Sequence, residues 1–146
     1  MSELKQVEIL LVEDSQEDAE ITIRGLQMAN LANNLVWLKD GEEALDFLFC
    51  RGRFSHYTDY RPRLILLDLK MPKMDGIEVL AEIKRNPQTR SIPVVMLTSS
   101  AEEGDIVRSY NLGVNSYLVK PVDFRKFSEE IAKAGIYWLV MNKVPG

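Results

Sequence analysis

The chain has 146 residues, 46% of them hydrophobic and 27% charged, with a formal net charge of −4. That is one domain's length with enough apolar content for a real core, and the acidic balance argues against nucleic acid or an anionic membrane surface as partner. No run approaches the ~20 apolar residues of a membrane span, Met1–Gln6 lacks the basic-then-apolar order of a secretory signal, and a single Cys50 excludes an internal disulfide, so a reducing cytoplasm is the expected setting.

Five short apolar runs read as strands buried on both faces, each followed by helical spacing. The first, Ile9–Val12, leads into a helix carrying Ala19, Ile23 and Leu26. The second, Leu35–Leu38, precedes Ala44, Leu45, Leu48 and Phe49, and its helix ends at the lone thiol of Cys50. The stretch between Phe49 and Leu64 is then too long for a simple turn. It holds four arginines, three aromatics and the single histidine, His56, and it reads as a tolerated surface insertion or a partner contact. With one histidine in a polar stretch, a His-rich metal site or a Ser/Cys–His pair has little to draw on.

The third strand, Leu64–Leu67, precedes Ile77, Leu80 and Ala81; the fourth, Val94–Leu97, precedes Ile106, Val107 and Tyr110. The fifth, Tyr117–Val119, precedes Phe124, Phe127 and Ile131 on one helix face. Ser15 with Asp18, Asp40 with Glu43, and Asp75 with Glu78 place an N-cap oxygen three residues before an acid. Gly113 sits where a left-handed cap would end the fourth helix. Five βα units predict a single α/β domain over residues 1–146, a doubly wound parallel sheet with flavodoxin-like strand order 2-1-3-4-5 and a long loop between helix 2 and strand 3. No second or output domain is expected after the fifth helix.

Ligands of such sheets bind beyond the carboxyl ends of the strands. Glu13 and Asp14 follow the first strand, Asp68 the third, Thr98 the fourth and Lys120 the fifth. Any one of these suits a solvated strand end, but five polar groups on one rim form a site. Three neighbouring carboxylates repel unless a cation joins them, and oxygen ligands with room for water suit Mg²⁺. Glu13, Asp14 and Asp68 bring three negative charges against three positive ones from Mg²⁺ and Lys120. An aspartate carboxylate is a nucleophile for phosphoryl transfer, and Asp68, on the central strand, is the expected one.

Glu13-Asp14, the run Leu67-Asp68-Leu69-Lys70-Met71-Pro72-Lys73-Met74-Asp75-Gly76, Leu97-Thr98-Ser99 and Tyr117-Leu118-Val119-Lys120-Pro121 together resemble the signature of the response-regulator receiver (CheY-like) family, in its order and spacing. The resemblance implies phosphorylation of Asp68 from a histidine kinase. It implies Mg²⁺ held by Asp14, Asp68 and the backbone carbonyl of Lys70, with Glu13 acting through water. It implies that Thr98 and Lys120 bind phosphoryl oxygens, that Tyr117 is the switch aromatic and that Lys120-Pro121 is a cis peptide. The insertion and the Met71–Gly76 loop look like the single-domain regulators that partner bacterial and cyanobacterial phytochromes. Lys70 and Ser100 depart from chemotaxis-type receivers at positions that flank the attacking water, and so bear on the phosphoryl lifetime.

Other readings compete. A phosphatase that forms an aspartyl phosphate needs a second acid two residues after the nucleophile, where Lys70 stands. A flavin module wants a phosphate-binding loop after the first strand, where Glu13-Asp14-Ser15-Gln16-Glu17-Asp18 would repel one. A pseudo-receiver acting purely as an interaction scaffold is the remaining rival. The protein is therefore expected to be regulatory rather than an enzyme. Ile136 to Met141 is apolar all round, which a helix burying one face does not require. Tyr137, Trp138, Leu139 and Val140 are the expected contacts of a homodimer formed through the fifth helix.

Overall fold

The computed structural model describes residues 8–29, 34–55, 62–99, 111–120, 123, 125–127 and 129. Strands β1 (Ile9–Val12), β2 (Leu35–Leu38), β3 (Leu64–Asp68), β4 (Val94–Thr98) and β5 (Ser116–Val119) form one parallel sheet in the order β2-β1-β3-β4-β5. This is the expected flavodoxin-like order. Three strands exceed the apolar runs that announced them by one residue. Asp68 pairs in register with Leu97, Thr98 with Val119, and Ser116 with Val95. Polar residues at strand ends still complete ladder hydrogen bonds, which apolar patterning does not report.

Parallel strands need crossovers, and the helices that supply them cover both faces. Helix α1 (Gln16–Met28) lies on one side, and α2 (Gly41–Leu48) and α3 (Gly76–Arg85) on the other. Alternation along each strand divides the core accordingly. Leu10, Val12, Ile65, Leu67, Val94 and Met96 pack with Ala44, Leu48, Val79 and Leu80. Ile9, Leu11, Leu64, Leu66, Val95 and Leu97 pack with Ala19, Leu26 and Phe127. Each aliphatic side chain wholly withdrawn from water contributes about 1.5–3 kcal/mol.

All three expected N-caps are present. Ser15 Oγ accepts from Asp18 N–H at 3.2 Å, Asp40 Oδ1 from Glu43 N–H at 2.9 Å, and Asp75 Oδ1 from Glu78 N–H at 3.0 Å. Only at Asp75 does the acid reach back to the N-cap N–H, at 3.1 Å. Glu43 accepts from Lys39 N–H instead, and Asp18 is drawn elsewhere. Gly113 has the left-handed backbone expected of a helix-ending glycine, at φ 99°.

The start of the insertion is less solvated than its composition implies. Helix α2 closes with Arg51 N–H on Asp46 O at 2.8 Å and Cys50 N–H on Phe47 O at 3.3 Å. This is the Schellman pattern, with Cys50 left-handed at φ 54° where glycine is usual. A short 3-10 turn, Gly52–Phe54, then turns Phe54 back into the core, edge-on to Phe47 with ring centroids 5.3 Å apart. Arg51 and Arg53 pair with Asp46 and Glu43 on α2. These arginines brace the turn, while His56 and the rest of the segment through residue 61 lie outside the described residues, as do Ile106, Val107 and Tyr110.

Candidate functional site

Side-chain alternation decides which rim residues meet. Glu13 continues the face of Ile9 and Leu11, Asp68 that of Leu64 and Leu66, and Lys120 that of Leu118, all toward α1. Thr98 continues the opposite face, that of Val94 and Met96, where Tyr117 packs half-buried beside the same cluster. The acids and the lysine therefore gather on one side of the sheet edge. The hydroxyl and the aromatic share the other.

The lysine is the hub. Its ammonium donates to Glu13 Oε1 at 2.6 Å and Asp18 Oδ2 at 3.0 Å, and lies 3.2 Å from Asp68 Oδ1. Its backbone N–H is fixed on Thr98 O at 2.7 Å. Glu13 is wholly buried, and its second oxygen accepts from Ser15 N–H at 3.2 Å. Its backbone carbonyl accepts the Trp37 indole N–H at 2.8 Å. Asp14 is exposed at the mouth, and one oxygen each from Glu13, Asp14 and Asp68 lie within 4.8 Å of one another.

Burial, and then the charge of Glu13, push the Asp68 carboxyl up from an ordinary 3.8 to about 7, against the pull of Lys120. Burial alone would lower Lys120. Hydrogen bonds to Glu13 and Asp18 and the charges of Asp68 and Glu13 outweigh it and raise the ammonium above its usual range. Crowded carboxylates held by one ammonium lack positive charge, and close-set hard oxygens suit a divalent cation that keeps several waters. Glu13, Asp14 and Asp68 could hold such a cation.

Three residues at the site escaped the sequence reading. Asp18 was counted as a helix-start acid, yet it binds Lys120, so the site carries one more negative charge than the simple balance allowed. Trp37, read only as part of an apolar strand, holds the Glu13 backbone. Gly76 donates from its N–H to Leu69 O at 2.7 Å. A Cβ there would lie 2.4 Å from Asp68 O and 2.8 Å from Leu69 Cα, so only glycine lets α3 start against the backbone of Asp68. Glycine in Met71–Gly76 was visible as a motif residue, but the close approach was not.

The other expected residues are placed as follows. Thr98 is fully buried at the end of β4, and Lys70 is exposed in the turn after β3. Ser100, Pro121, Tyr137, Trp138, Leu139 and Val140 lie outside the described residues. Among the described residues no helix is long and apolar enough to cross a membrane.

Fold and site together define an α/β domain with an acidic, lysine-bearing cluster at the carboxyl rim of a 2-1-3-4-5 sheet. The chain belongs to the response regulator receiver domain family, whose pattern matches residues 9–132. It is 42% identical over 137 residues to response regulator Rcp1 of Synechocystis sp., covering 94% of this chain and 92% of that one. The solved Mn(2+)-bound form of Rcp1 superposes with a TM-score of 0.75 over 97% of this chain and all of that one. The bacteriophytochrome response regulator RtBRR is 50% identical, with a TM-score of 0.85 over 97% of this chain and 85% of that one. The probable methanogenesis regulatory protein FilR2 of Methanothrix harundinacea is 41% identical over 138 residues, covering 94% and 87% of the two chains. The chain is thus the receiver of a two-component response regulator, similar to phytochrome response regulators, as its motifs had led us to expect.

Proposed function

We propose that the protein is a phosphoryl-operated switch in which Asp68 accepts a phosphoryl group from the phosphohistidine of a histidine kinase. The observation that carries this is the convergence of Glu13, Asp14 and Asp68 within 4.8 Å beside the Lys120 ammonium, 3.2 Å from Asp68. An Asp68 oxygen attacks phosphorus, the P–N bond breaks, and its electron pair stays on the imidazole, leaving an acyl phosphate on the aspartate. Mg²⁺, held by Asp14, Asp68 and the Lys70 backbone carbonyl with Glu13 close by, would neutralise charge on the transferring oxygens. Rcp1, crystallised with Mn(2+), supports a divalent cation in this family.

Lys120 supplies a fixed cation to the phosphoryl oxygens, and Thr98 a hydroxyl from the neighbouring strand end. Tyr117 shares the Thr98 face, so a shift of Thr98 toward Asp68 opens space for the ring to turn inward. The charge change at the rim is thereby converted into a changed surface for protein contacts. The similarity to RtBRR favours a phytochrome-type photoreceptor kinase as the donor. We place the protein in the cytoplasm as a single receiver domain over residues 1–146, without nucleic-acid binding, and assign Tyr137, Trp138, Leu139 and Val140 to a homodimer contact. Sedimentation showing a monomer at micromolar concentration, with and without a phosphoryl mimic, would refute the dimer.

Phosphorylation is tested by incubation with Mg²⁺ and a small acyl phosphate, followed by intact mass. One added phosphoryl group in the wild type and none in Asp68→Asn is the expected result. No addition in the wild type, or equal addition in both, refutes the assignment.

A further inference from the structure

In the first turn of α1, Asp18 stands where a capping acid ordinarily reaches back to the N-cap N–H. It does not do so. Ser15 N–H goes to Glu13 Oε2 at 3.2 Å, and Asp18 Oδ2 accepts instead from Lys120 Nζ at 3.0 Å. The three carboxylates around the ammonium, Glu13, Asp18 and Asp68, match its three donor protons. Glu13 and Asp68 belong to the cluster that fits a cation; Asp18 does not. When a cation draws on Glu13 and Asp68, the carboxylate left to the lysine is Asp18. Its side chain is 40% exposed, against 1% for Glu13 and 6% for Asp68, so water screens this hold more than the other two.

We infer that Asp18 is a positioning residue that keeps the Lys120 ammonium in the resting site and competes with an incoming phosphoryl group for it. The inference rests on the phosphoacceptor reading above. A phosphoryl oxygen on Asp68 needs the ammonium turned toward it, and the half-exposed pair with Asp18, the hold that the cation leaves in place, is the one that must yield. Asp18 thus sets how readily the lysine transfers from resting to phosphorylated geometry, without touching the transferring group.

The test is the affinity for beryllofluoride, a phosphoryl mimic, in Mg²⁺, measured beside the affinity for Mg²⁺ alone. Titration calorimetry is the readout, so that Trp138, assigned above to the dimer contact, stays in place in every variant. Asp18→Asn is expected to bind beryllofluoride about two- to fivefold more tightly, the worth of one half-exposed ion pair, with no tightening toward Mg²⁺. Asp18→Glu restores a carboxylate and should return the affinity toward wild type. Glu17→Gln removes the same charge from the same turn without contact to Lys120 and should change neither affinity.

Retained Mg²⁺ binding shows that each variant is folded. Unchanged or weaker beryllofluoride binding in Asp18→Asn overturns the inference, as does an equal gain in Glu17→Gln, which would mean that charge alone was responsible. A wild type that binds Mg²⁺ but neither beryllofluoride nor a phosphoryl group overturns the phosphoacceptor reading and this inference with it. Wild-type binding with no change in Asp18→Asn overturns this inference alone.

Discussion

Replacing Asp68 by asparagine should stabilise the metal-free protein. The carboxylate is 4% exposed, faces Glu13, and has its pKa raised from 3.8 to about 7 even with Lys120 beside it. The folded state therefore binds more protons than the unfolded state between those values, and the group's contribution to stability falls as pH rises through that window. A shift of about three units at ~1.4 kcal/mol each amounts to roughly 4 kcal/mol of strain once Asp68 is ionised. Asparagine has the shape of the protonated carboxyl and avoids that cost. Urea unfolding in EDTA near pH ~8 should show Asp68→Asn more stable than wild type by about 2–4 kcal/mol, with the gap closing toward zero near pH ~4. Saturating Mg²⁺ should narrow or reverse the difference, because the cation binds the folded wild type through that carboxylate. An Asp68→Asn variant no more stable than wild type in EDTA at high pH would refute the claim that the acidic cluster is electrostatically strained.

Gly76→Ala would drive its Cβ against Asp68 O and Leu69 Cα; a loss of about 2–3 kcal/mol in urea unfolding, with weakened Mg²⁺ binding, is expected. Cys50→Gly relieves the left-handed backbone that ends α2, and should raise stability by about 1 kcal/mol without altering Mg²⁺ affinity. Phe54→Ala empties a ring site packed edge-on to Phe47 and should cost about 3 kcal/mol in thermal or urea unfolding, whereas a surface-loop phenylalanine would cost almost nothing.

Strand positions, three helix starts and the rim residues Glu13, Asp14, Asp68, Thr98 and Lys120 were all legible in the sequence. Each depends on chemistry within a few residues: apolar runs buried on both faces, a cap oxygen three residues before an acid, a polar residue where a run stops. Strand order followed because right-handed crossovers leave few ways to wind five such units. Lys120 meets Asp18 across 102 residues and Glu13 across 107, and Trp37 meets Glu13 across 24. Contacts of that range depend on strand register and on how α1 sits against the sheet, which no local pattern encodes. The same holds for Phe54, whose polar neighbours suggested solvent until the Schellman turn aimed it inward, and for the division of Asp68 and Thr98 to opposite faces. The sequence by itself determined which groups reach the rim; the tertiary structure decided which carboxylates share the lysine, because an ion pair is set by distance in space.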